Sequence, residues 1–426
     1  YPPERSARIT GVPAEEIVEL ARAYATTRPA AIQVHIGLEK HKHGGMTYRS
    51  VSCLPALVGA WKEPGGGLMF ITADLFGESM NAAALSPGDV PETRAINMVQ
   101  LGRALTDATL SPPVRAMIVY NSNPATIAPN QNLVTRGLER EDLFTVVLDH
   151  FVTDTALYAD YVLPATTQAE HLDLLVPYGT HYLALNQPAI EAQGEALPNS
   201  EICRRLARKM GLDDPRFYPS DEELVRLGLE SDHPYLEGIT YETLQRDGWA
   251  ALRLPEPRLP FAEGGFPTPS GKCELYSETL AAQGMDPLPA YVATERSKQE
   301  SAAYPLHFMS PKWNPYFVNS SHANQPRLLE KAGAPKLRIH PDDARQRGIT
   351  TGDRVRVFND RGSITLRAEV TDDMQRDIVI MLHGWWASRI GGSSANALTQ
   401  DELADLGGGS SLHDAWVEVA KATTSA

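Results

Sequence analysis

Two apolar runs of the sequence are each followed directly by polar side chains that could bind a ligand. The run VRAMIVY leads into Asn121 and Asn123, and the run FTVVL leads into Asp149. In an open α/β sheet, ligands bind beyond the carboxyl ends of the strands, so two carboxamides and one carboxylate would meet there. Asp149 could accept two N–H bonds from a guanine edge, or hydrogen bonds from a ribose diol. Thr153 would follow in a helix whose first amides could hold a phosphate.

The same residues also allow a purely structural interpretation. Asn123 precedes Pro124, and the Asn-Pro pair is common in turns. An aspartate after a strand, such as Asp149, often caps the next helix. Spacing alone favours this structural interpretation and leaves the ligand-binding one open.

The glycine-rich segments match no phosphate-binding motif. Neither the glycines at 37, 44 and 45 nor those at 65–67 follow the patterns GxGxxG or GxxxxGK[ST], which argues against nicotinamide and Walker-type sites. The segment EKHKHGG at 39–45 groups two lysines and two histidines. This segment could bind a metal ion or an anion, although such runs are more often solvated loops.

Other chemical signatures are few, and GxSxG and HExxH are absent. His383 is followed closely by Trp385 and Trp386. Two adjacent tryptophans on a strand would point to opposite faces, one into the core and the other able to cover a planar ligand. A packing role for both is equally open. The three cysteines are far apart in sequence, which predicts no disulfide framework and a buried small apolar residue at each of Cys53, Cys203 and Cys273.

The composition is that of an ordinary globular protein. Of the 426 residues, 42% are apolar and 22% are charged, and at about 150 residues per domain this length predicts several domains. The formal net charge of −14 argues against a general nucleic-acid binder, because neutralising phosphates needs clustered Lys and Arg. No run of about 18 uncharged apolar residues predicts a transmembrane helix.

Apolar strands alternate with helices over the first half of the chain. Predicted helices lie at 13–26, near 46–60 and at about 199–210, and predicted strands lie at 30–36, 114–120, 144–148 and 161–163. This alternation indicates α/β layers with mainly parallel sheets. Residues 211–300 are rich in proline and acids, have weak periodicity and predict a long connection with some local structure. Beyond about 304, β-rich runs separated by a turn at 359–362 predict a compact β-barrel.

Several segments, taken in order, resemble one protein family. They are the glycines at 37–45 with LPALVGAW and EPGGG, then YNSNPA, LDHFVTDTALYADYVLPATTQAEH, TPSGKCELYS, HPDDARQRGITTGDRVRVFNDRG, GWW, NALT and SLHDAWVEV. Each motif is weak by itself, but their ordered combination is specific and covers the chain almost from end to end. The chain resembles the C-terminal part of a molybdopterin oxidoreductase of the dimethyl sulfoxide reductase and formate dehydrogenase family.

This resemblance implies an α/β fold class, with parallel-sheet Rossmann-like domains followed by a C-terminal double-psi β-barrel. It implies the tail of one cofactor-binding α/β domain at 1–85, the second half of a guanosine-binding α/β domain at 86–215, a connecting segment at 216–303 and the barrel at 304–426. It also implies a bis-(molybdopterin guanine dinucleotide) cofactor carrying molybdenum or tungsten. The guanosine ends of this cofactor would lie in α/β domains, and the barrel would cover its pterins.

The resemblance also assigns cofactor-binding positions residue by residue. The turn beside the dinucleotide matches Asn121, Asn123 and Pro124, and an element at a guanosine end matches Asp149 and Thr153. The pterin-side segments of the barrel match Ser310, Lys312, Trp313, Asn314, His383, Trp385, Asn396 and Thr399. Lys40 and His41 match a region that can face the metal centre. The resemblance assigns no catalytic residue and no metal ligand to this chain.

The sequence departs from the family pattern at its start. Family members carry an upstream metal ligand and, in many branches, a cysteine-rich iron–sulfur segment, and nothing in this chain matches either. We therefore expect a part of a longer enzyme, inactive alone, with apolar sheet faces exposed where the remainder would pack.

The resemblance implies that the complete enzyme carries out two-electron redox chemistry on a small-molecule substrate. Electrons would pass through an iron–sulfur cluster in the remainder to an electron-transfer subunit or a ferredoxin-like partner. Two alternatives stay open, namely a stand-alone nucleotide-binding module and an assembly subunit without redox activity.

Overall fold

The computed structural model describes residues 1–85, 92–294, 296, 298–312 and 315–422. Within these ranges the strands are β1 Ala31–Gln33, β2 Gly67–Met69, β3 Ala116–Tyr120, β4 Phe144–Asp149, β5 Tyr161–Pro164, β6 Asp173–Leu175, β7 Tyr182–Asn186, β8 Trp249–Ala251, β9 Leu306–Met309, β10 Lys336–Ile339, β11 Arg354–Phe358, β12 Ser363–Val370, β13 Ile378–Ile380 and β14 Ala415–Lys421.

The α-helices of the described residues are α1 Pro3–Thr10, α2 Ala14–Thr26, α3 Gly44–Val58, α4 Ala73–Ser79, α5 Ala82–Leu85, α6 Leu101–Thr106, α7 Pro124–Ile127, α8 Gln131–Leu138, α9 Asn199–Met210, α10 Asp221–Leu229, α11 Tyr241–Asp247, α12 Glu278–Ala282, α13 Lys298–Ala303, α14 Pro326–Ala332 and α15 Pro341–Gln346. Short 3-10 helices occur between several of these elements. None of the helices in this part of the chain is both long and apolar enough to cross a membrane.

The sheet of β3, β4 and β5 carries the first group of candidate residues. Its strands are parallel, and the register aligns Tyr120 with Leu148 and Leu148 with Leu163. Asn121 and Asp149 therefore leave adjacent strand ends at one edge of the sheet. Helices α6 and α8 cover one face of this sheet with a core that includes Leu105, Val134, Leu138 and Leu143.

The opposite face of this sheet is open among the described residues. The side chains of Ile118, Tyr120, Phe144 and Tyr161 on this face are 49–63% exposed. Parallel sheets are normally covered by helices on both faces. The exposed apolar sheet face that the sequence predicted is therefore present.

Residues 221–251 form a packed unit, within the stretch that the sequence predicted to be a long connection with some local structure. Helices α10 and α11 begin at capping boxes on Ser220 and Thr240, and both contact the antiparallel sheet of β6, β7 and β8. Their shared core includes Phe76, Leu183, Leu229 and Leu244. The helices have only nine and seven residues, too few turns for a clear periodicity. The division of the chain into domains after residues 85, 215 and 303 stays a prediction.

The C-terminal part is a closed barrel with the strand order β10-β12-β11-β14-β9-β13. Its pairs β10–β12 and β9–β13 are parallel, and its other pairs are antiparallel. Alternate side chains of β11 and β12 are buried inside, among them Val355, Val357, Ile364 and Leu366. A mixed α/β chain with parallel sheets and a six-stranded barrel is thus confirmed, and the double-psi topology stays a prediction.

The predicted turn at 359–362 joins β11 to β12 and brings the barrel against α8. The Asn359 N–H donates to the Gly362 carbonyl at 3.0 Å. A Cβ atom on Gly362 would lie 2.4 Å from Asn132 Nδ2 and 2.9 Å from the Ala397 carbonyl oxygen. Glycine is therefore required here, because α8 comes close to the barrel at this turn. We call the sheet of β3, β4 and β5, together with helices α6, α7 and α8, the sheet unit.

Candidate functional site

A hydrogen-bond network joins the β3–β4 sheet to the barrel. We call it the junction network, and its members are Asn123, Thr126, Asp154, Thr155 and Asn396. Asn123 is buried, and its Oδ1 accepts the Thr155 backbone N–H at 3.1 Å and the Thr155 hydroxyl at 2.8 Å. Its Nδ2 donates to Thr126 Oγ1 at 3.2 Å. The amide of Asn123 is therefore engaged inside the protein, next to the buried Pro124 that begins α7.

Asp154 is the charged centre of the junction network. Its carboxylate is 5% exposed and accepts the Thr126 hydroxyl at 2.7 Å, the Ala387 N–H at 2.6 Å and the Ser388 N–H at 3.4 Å. The two amides belong to the first residues of the 3-10 helix Ala387–Arg389, so the carboxylate satisfies donors at a helix N-terminus. Sequence reasoning missed Asp154, because its barrel partners lie 233 and 234 positions further along the chain.

Asn396 and Thr399 meet the same network from the barrel side. Asn396 Nδ2 donates to the Thr126 carbonyl at 2.9 Å, and its Oδ1 accepts the Thr399 hydroxyl at 2.9 Å. The Thr399 carbonyl accepts the Asn130 N–H at 3.1 Å. The structure therefore brings three predicted residues, Asn123, Asn396 and Thr399, to one junction. There they hold the sheet unit on the barrel, and their predicted contact with a cofactor stays a prediction.

Asn121 and Asp149 lie at the exposed edge of the β3–β4 sheet. Asn121 adopts a left-handed backbone conformation with a φ of 50°, and its Oδ1 accepts Asn199 Nδ2 at 3.0 Å. Its Nδ2 donates to no partner among the described residues. Asp149 Oδ1 accepts the Phe151 N–H at 3.0 Å, and burial raises the pKa of this carboxyl. Each of the two side chains thus makes a hydrogen bond within the protein and still lies at the edge of the sheet.

The hydroxyl of the buried Thr153 is engaged with the backbone that follows it. Its hydroxyl accepts the Ala156 N–H at 3.2 Å, at the start of the 3-10 helix Ala156–Tyr158. Thr153 is 3% exposed. A guanosine could therefore contact its hydroxyl only if the turn at 149–153 moved aside. The structure shows this internal role for Thr153, and its predicted contact with a guanosine end stays a prediction.

Four histidines converge where the loop at 39–45 meets the barrel. We call them the imidazole cluster, and they are His41, His307, His383 and His413. The rings of His41 and His413 lie 5.6 Å apart, and His307 Nε2 bonds the His413 carbonyl. His383 Nδ1 bonds the Ser310 carbonyl at 2.9 Å.

Burial and mutual repulsion lower the pKa of three members of the imidazole cluster, His307, His383 and His413. Burial first, and then the neighbouring charges of His41, His307 and His383, lower the pKa of His413 to about 4. Burial also lowers the pKa of His307 and of His383, and Lys312 and Lys40 add to the effect at His383. An anionic group brought into this cluster would raise these pKa values and favour proton uptake.

The carboxylate of Asp414 contacts the imidazole cluster at His41. Asp414 Oδ1 bonds His41 Nδ1 at 2.9 Å, and its Oδ2 accepts the Lys42 N–H at 2.6 Å. Burial opposes ionisation, but these two hydrogen bonds outweigh it and lower the pKa of Asp414 below its usual value. Asp414 therefore stays ionised and fixes the loop at 39–45 against the barrel.

Ser310 lies beside the imidazole cluster with an unused hydroxyl. It is 7% exposed, and its Oγ has no hydrogen-bond partner among the described residues. Its carbonyl holds His383, and the exposed Lys312 follows two residues later. An unpartnered buried hydroxyl is unusual, since most buried polar atoms are hydrogen-bonded. The predicted residues Trp313 and Asn314 lie outside the described residues.

The structure buries both tryptophans of the GWW segment. Trp385 packs edge-on against Phe317 with ring centres 5.0 Å apart, and Trp386 Nε1 donates to the Ser320 carbonyl at 2.8 Å. Both belong to the barrel core. Packing in the barrel core is therefore what the structure shows for both rings, and the predicted contact of Trp385 with the cofactor stays a prediction. The alternation expected of a strand does not apply, since β13 ends at Ile380 and these residues follow it.

The loop at 39–45 is docked rather than solvated. Besides the His41 contact with Asp414, Lys42 Nζ pairs with Glu402 at 3.3 Å, and Asp405 accepts the Gly45 N–H at 2.9 Å. Among the described residues, no three or more His, Cys, Asp or Glu side chains are arranged so that they could hold a metal ion.

Two cysteines that lie far apart in sequence are neighbours in the structure. Cys273 lies close enough to Cys53 on α3 to influence the pKa of its thiol. Cys53 is buried, whereas Cys203 is exposed, so the expectation that every cysteine is a buried apolar residue is wrong for Cys203. Burial, followed by the proximity of Cys273, raises the pKa of the Cys53 thiol.

Two family models match the chain. The model described as molybdopterin oxidoreductase matches residues 19–209, and the model described as molydopterin dinucleotide binding domain matches residues 306–416. Together the two matches span most of the chain. The first includes the β3–β4 sheet edge, and the second includes Ser310 and three members of the imidazole cluster.

Curated proteins of similar sequence extend beyond the chain. It is 39% identical to the probable oxidoreductase YoaE of Bacillus subtilis, with 99% of this chain and 61% of that protein aligned. It is 28% identical to the dimethyl sulfoxide reductase DmsA of Escherichia coli, with 98% of this chain and 57% of that protein aligned. The chain thus spans about three-fifths of the length of these relatives.

A solved structure of similar fold is the acetylene hydratase from Pelobacter acetylenicus. The superposition gives a TM-score of 0.78 at 23% sequence identity. It covers 99% of this chain and 65% of the other. At this identity the similarity concerns the fold alone.

Proposed function

Because the chain belongs to the molybdopterin oxidoreductase family, we propose that it is the cofactor-holding part of a molybdenum enzyme. In this proposal it binds the dinucleotide ends and covers the pterins of a bis-(molybdopterin guanine dinucleotide) cofactor. Tungsten in place of molybdenum would be held by the same residues. Since the chain spans about three-fifths of its relatives, redox activity, substrate and any iron–sulfur cluster are proposed for the longer protein.

The observation that carries this proposal is the unpartnered Ser310 hydroxyl beside the imidazole cluster. A buried polar group without a partner costs about 1–3 kcal/mol, and a polar atom of a ligand would remove that penalty. His383 and His413 add ring nitrogens that are neutral near pH 7, because burial lowers the pKa of both. Such groups suit a heterocycle rich in nitrogen and oxygen, as in the pterins that this part of the barrel would cover.

The sheet edge supports a second contact point. Asn121 Nδ2 is a free donor among the described residues, and Asp149 offers carboxylate oxygens beside it. A guanine edge presents two N–H donors and one carbonyl acceptor, which a carboxylate and an amide can satisfy together. We propose that the guanine of one dinucleotide end binds here.

The bound cofactor would supply two-electron redox chemistry at its metal, and the protein would supply binding, orientation and electrostatics. The chain's own residues support these roles. The ring nitrogens of His413 make no hydrogen bond within the described residues, so one of them can accept a proton when negative charge approaches. Asp414 orients His41, and the buried Trp385 and Trp386 help to exclude water from the barrel side.

The proposal includes a small-molecule substrate and an electron-transfer partner for the longer protein. Two-electron chemistry needs an electron donor or acceptor, which we propose is an iron–sulfur subunit or a ferredoxin-like protein. The proposed domain division is a first α/β part at 1–85, a guanosine-binding part at 86–215 and a double-psi barrel at 304–426. The intervening segment is proposed to brace the first two parts, since its core includes Phe76 and Leu183.

The test compares Asp149→Asn with Asp160→Asn in the full-length protein. The asparagine introduced by Asp149→Asn would still accept the Phe151 N–H, but the anionic acceptor for guanine would be lost. Hydrogen bonds to charged groups contribute about 1.5–3 kcal/mol, so the guanine end should bind roughly ten- to a hundred-fold more weakly. Asp160 accepts the Thr145 N–H at 2.7 Å near the start of β4, the end of the strand opposite Asp149.

The readout is molybdenum per protein and guanosine monophosphate released by acid hydrolysis. The wild type and Asp160→Asn should retain both, and Asp149→Asn should lose most of both while keeping the wild-type unfolding profile. Full cofactor content in Asp149→Asn would contradict the assignment of the sheet edge. A wild type that binds guanosine monophosphate tightly but never contains molybdenum would favour the stand-alone nucleotide-binding alternative.

A further inference from the structure

A cleft of about 510 Å³ opens on the outer side of the barrel. It lies between α14, the start of β11, the middle of β12 and the 3-10 helix Ala387–Arg389. Three arginines line it, and its apolar lining includes Leu329, Trp385 and Ile390. The arginines are Arg354, Arg367 and Arg389. This cleft uses neither the junction network nor the imidazole cluster.

Two of the three arginines repel each other across the barrel surface. Arg354 and Arg367 are direct partners in the antiparallel pair of β11 and β12, and both side chains are exposed on the outer face. Like charges directly opposite each other destabilise a strand pair. The Arg367 guanidinium donates to the Gly352 carbonyl at 3.0 Å, which holds it in place beside Arg354. Arg389 adds a third positive charge to the same cleft.

No acidic side chain lines this cleft, and the three arginines make no ion pair within the described residues. Neighbouring cations of the barrel differ in this respect. Lys336 pairs with Glu369 at 3.2 Å, Arg338 with Asp373 at 3.1 Å, and Lys421 with Asp353 at 2.9 Å. In a chain of net charge −14, the concentration of unpaired positive charge in one cleft is a local exception.

We propose that the cleft binds a small organic anion that carries at least two negative charges on an apolar body. Guanidinium groups bind carboxylate and phosphate oxygens in paired hydrogen bonds, and three of them suit more than one charged oxygen group. The lining of Leu329, Trp385 and Ile390 would pack against the apolar body. Bound anion would also neutralise the repulsion between Arg354 and Arg367. The shared chemistry is anionic oxygen, from either a phosphate ester or a dicarboxylate.

The experiment titrates the full-length protein with three probes by calorimetry. Phenyl phosphate tests the phosphate source, benzene-1,3-dicarboxylate tests the carboxylate source, and inorganic phosphate lacks the apolar body. At least one organic probe should bind, and inorganic phosphate should bind at least tenfold more weakly. No heat from either organic probe, or equal affinity for inorganic phosphate, would overturn the proposal.

Variants locate the site. Arg354→Gln and Arg389→Gln should each weaken the organic probe at least tenfold, and the matched control is Arg345→Gln. Arg345 is an exposed barrel arginine that pairs with Asp342 outside the cleft, so its variant should bind like the wild type. Arg354→Gln should also unfold at a higher temperature than the wild type without probe, because the like-charge pair is gone. Equal weakening in all three variants would overturn the site.

The molybdenum content of the same preparations separates this inference from the proposed function. Arg354→Gln and Arg389→Gln should keep the wild-type content while losing probe binding. A loss of molybdenum together with undiminished probe binding would overturn the inference, because the arginines of the cleft would then contribute to cofactor binding instead. Failure of the Asp149 test leaves this result unaffected, since the two measurements use different residues.

Discussion

Replacement of Asp154 should loosen the barrel from the sheet unit. Its buried carboxylate makes two short hydrogen bonds, to the Ala387 N–H at 2.6 Å and to the Thr126 hydroxyl at 2.7 Å. Hydrogen bonds to a charged acceptor contribute about 1.5–3 kcal/mol each, whereas the 3.4 Å contact with Ser388 adds little. Asp154→Ala leaves both donors buried and unpaired, so we expect a loss of about 3–5 kcal/mol. Asp154→Asn keeps one acceptor oxygen and should lose about half as much.

Amide hydrogen exchange in the full-length protein measures this loss of stability at the amides that Asp154 binds. A loss of about 3 kcal/mol corresponds to roughly a hundred-fold faster opening, which should appear at the Ala387 and Ser388 amides in Asp154→Ala. Asp107→Asn is the matched control, since the exposed Asp107 accepts only from Thr109 and should leave these amides unchanged. Equal exchange at Ala387 in Asp154→Ala and in Asp107→Asn would refute the reasoning.

Three further predictions follow from single side chains. The pKa of His413 is lowered to about 4 from an ordinary value of 6.5. As the pH falls, the unfolded chain therefore takes up a proton at this residue before the folded protein does. The stability that depends on neutral His413 is complete above pH 6.5 and is lost towards pH 4. His413→Gln should flatten the unfolding free energy against pH in that window, and an unchanged slope would contradict the lowered pKa. Ser310→Ala should leave the cofactor-free protein as stable as the wild type, or up to about 1 kcal/mol more stable. The same variant should lower the molybdenum content of the loaded protein. A clear loss of stability without cofactor would show that Ser310 Oγ has an internal partner. Iodoacetamide followed by peptide mass spectrometry should label the exposed Cys203 first and the buried Cys53 last, and comparable rates at the two would contradict their placement.

Local patterns in the sequence were sufficient to predict the parallel sheet of β3, β4 and β5 and the barrel turn at 359–362. The apolar runs before Asn121 and Asp149 are short, continuous and bounded by turn residues, so their strand ends were predicted within a residue. The turn at 359–362 carries its own signal, because Asn-Asp and Gly bracket it between two alternating strands. These elements are encoded by neighbours in the chain, which is what periodicity detects.

The contacts that build the candidate site depend on long-range packing, and periodicity does not report them. Asp154 meets Ala387 from 233 positions away, and His41 meets Asp414 from 373 positions away. The helices at 221–229 and 241–247 were missed because short helices rely on capping boxes rather than on a long apolar stripe. The GWW tryptophans were expected on a strand, but the chain has left β13 before it reaches them.

Hydrogen exchange of the full-length protein, prepared with and without its molybdenum cofactor, tests the central proposal most directly. If the sheet edge and the imidazole cluster hold one cofactor, amides at 121–123, 149–153, 310–312 and 383–386 should exchange at least tenfold more slowly in the loaded protein. Amides of α10 and α11, which lie in a separate core, should be unchanged. Identical exchange at the sheet edge and beside Ser310 in the two preparations would contradict the account.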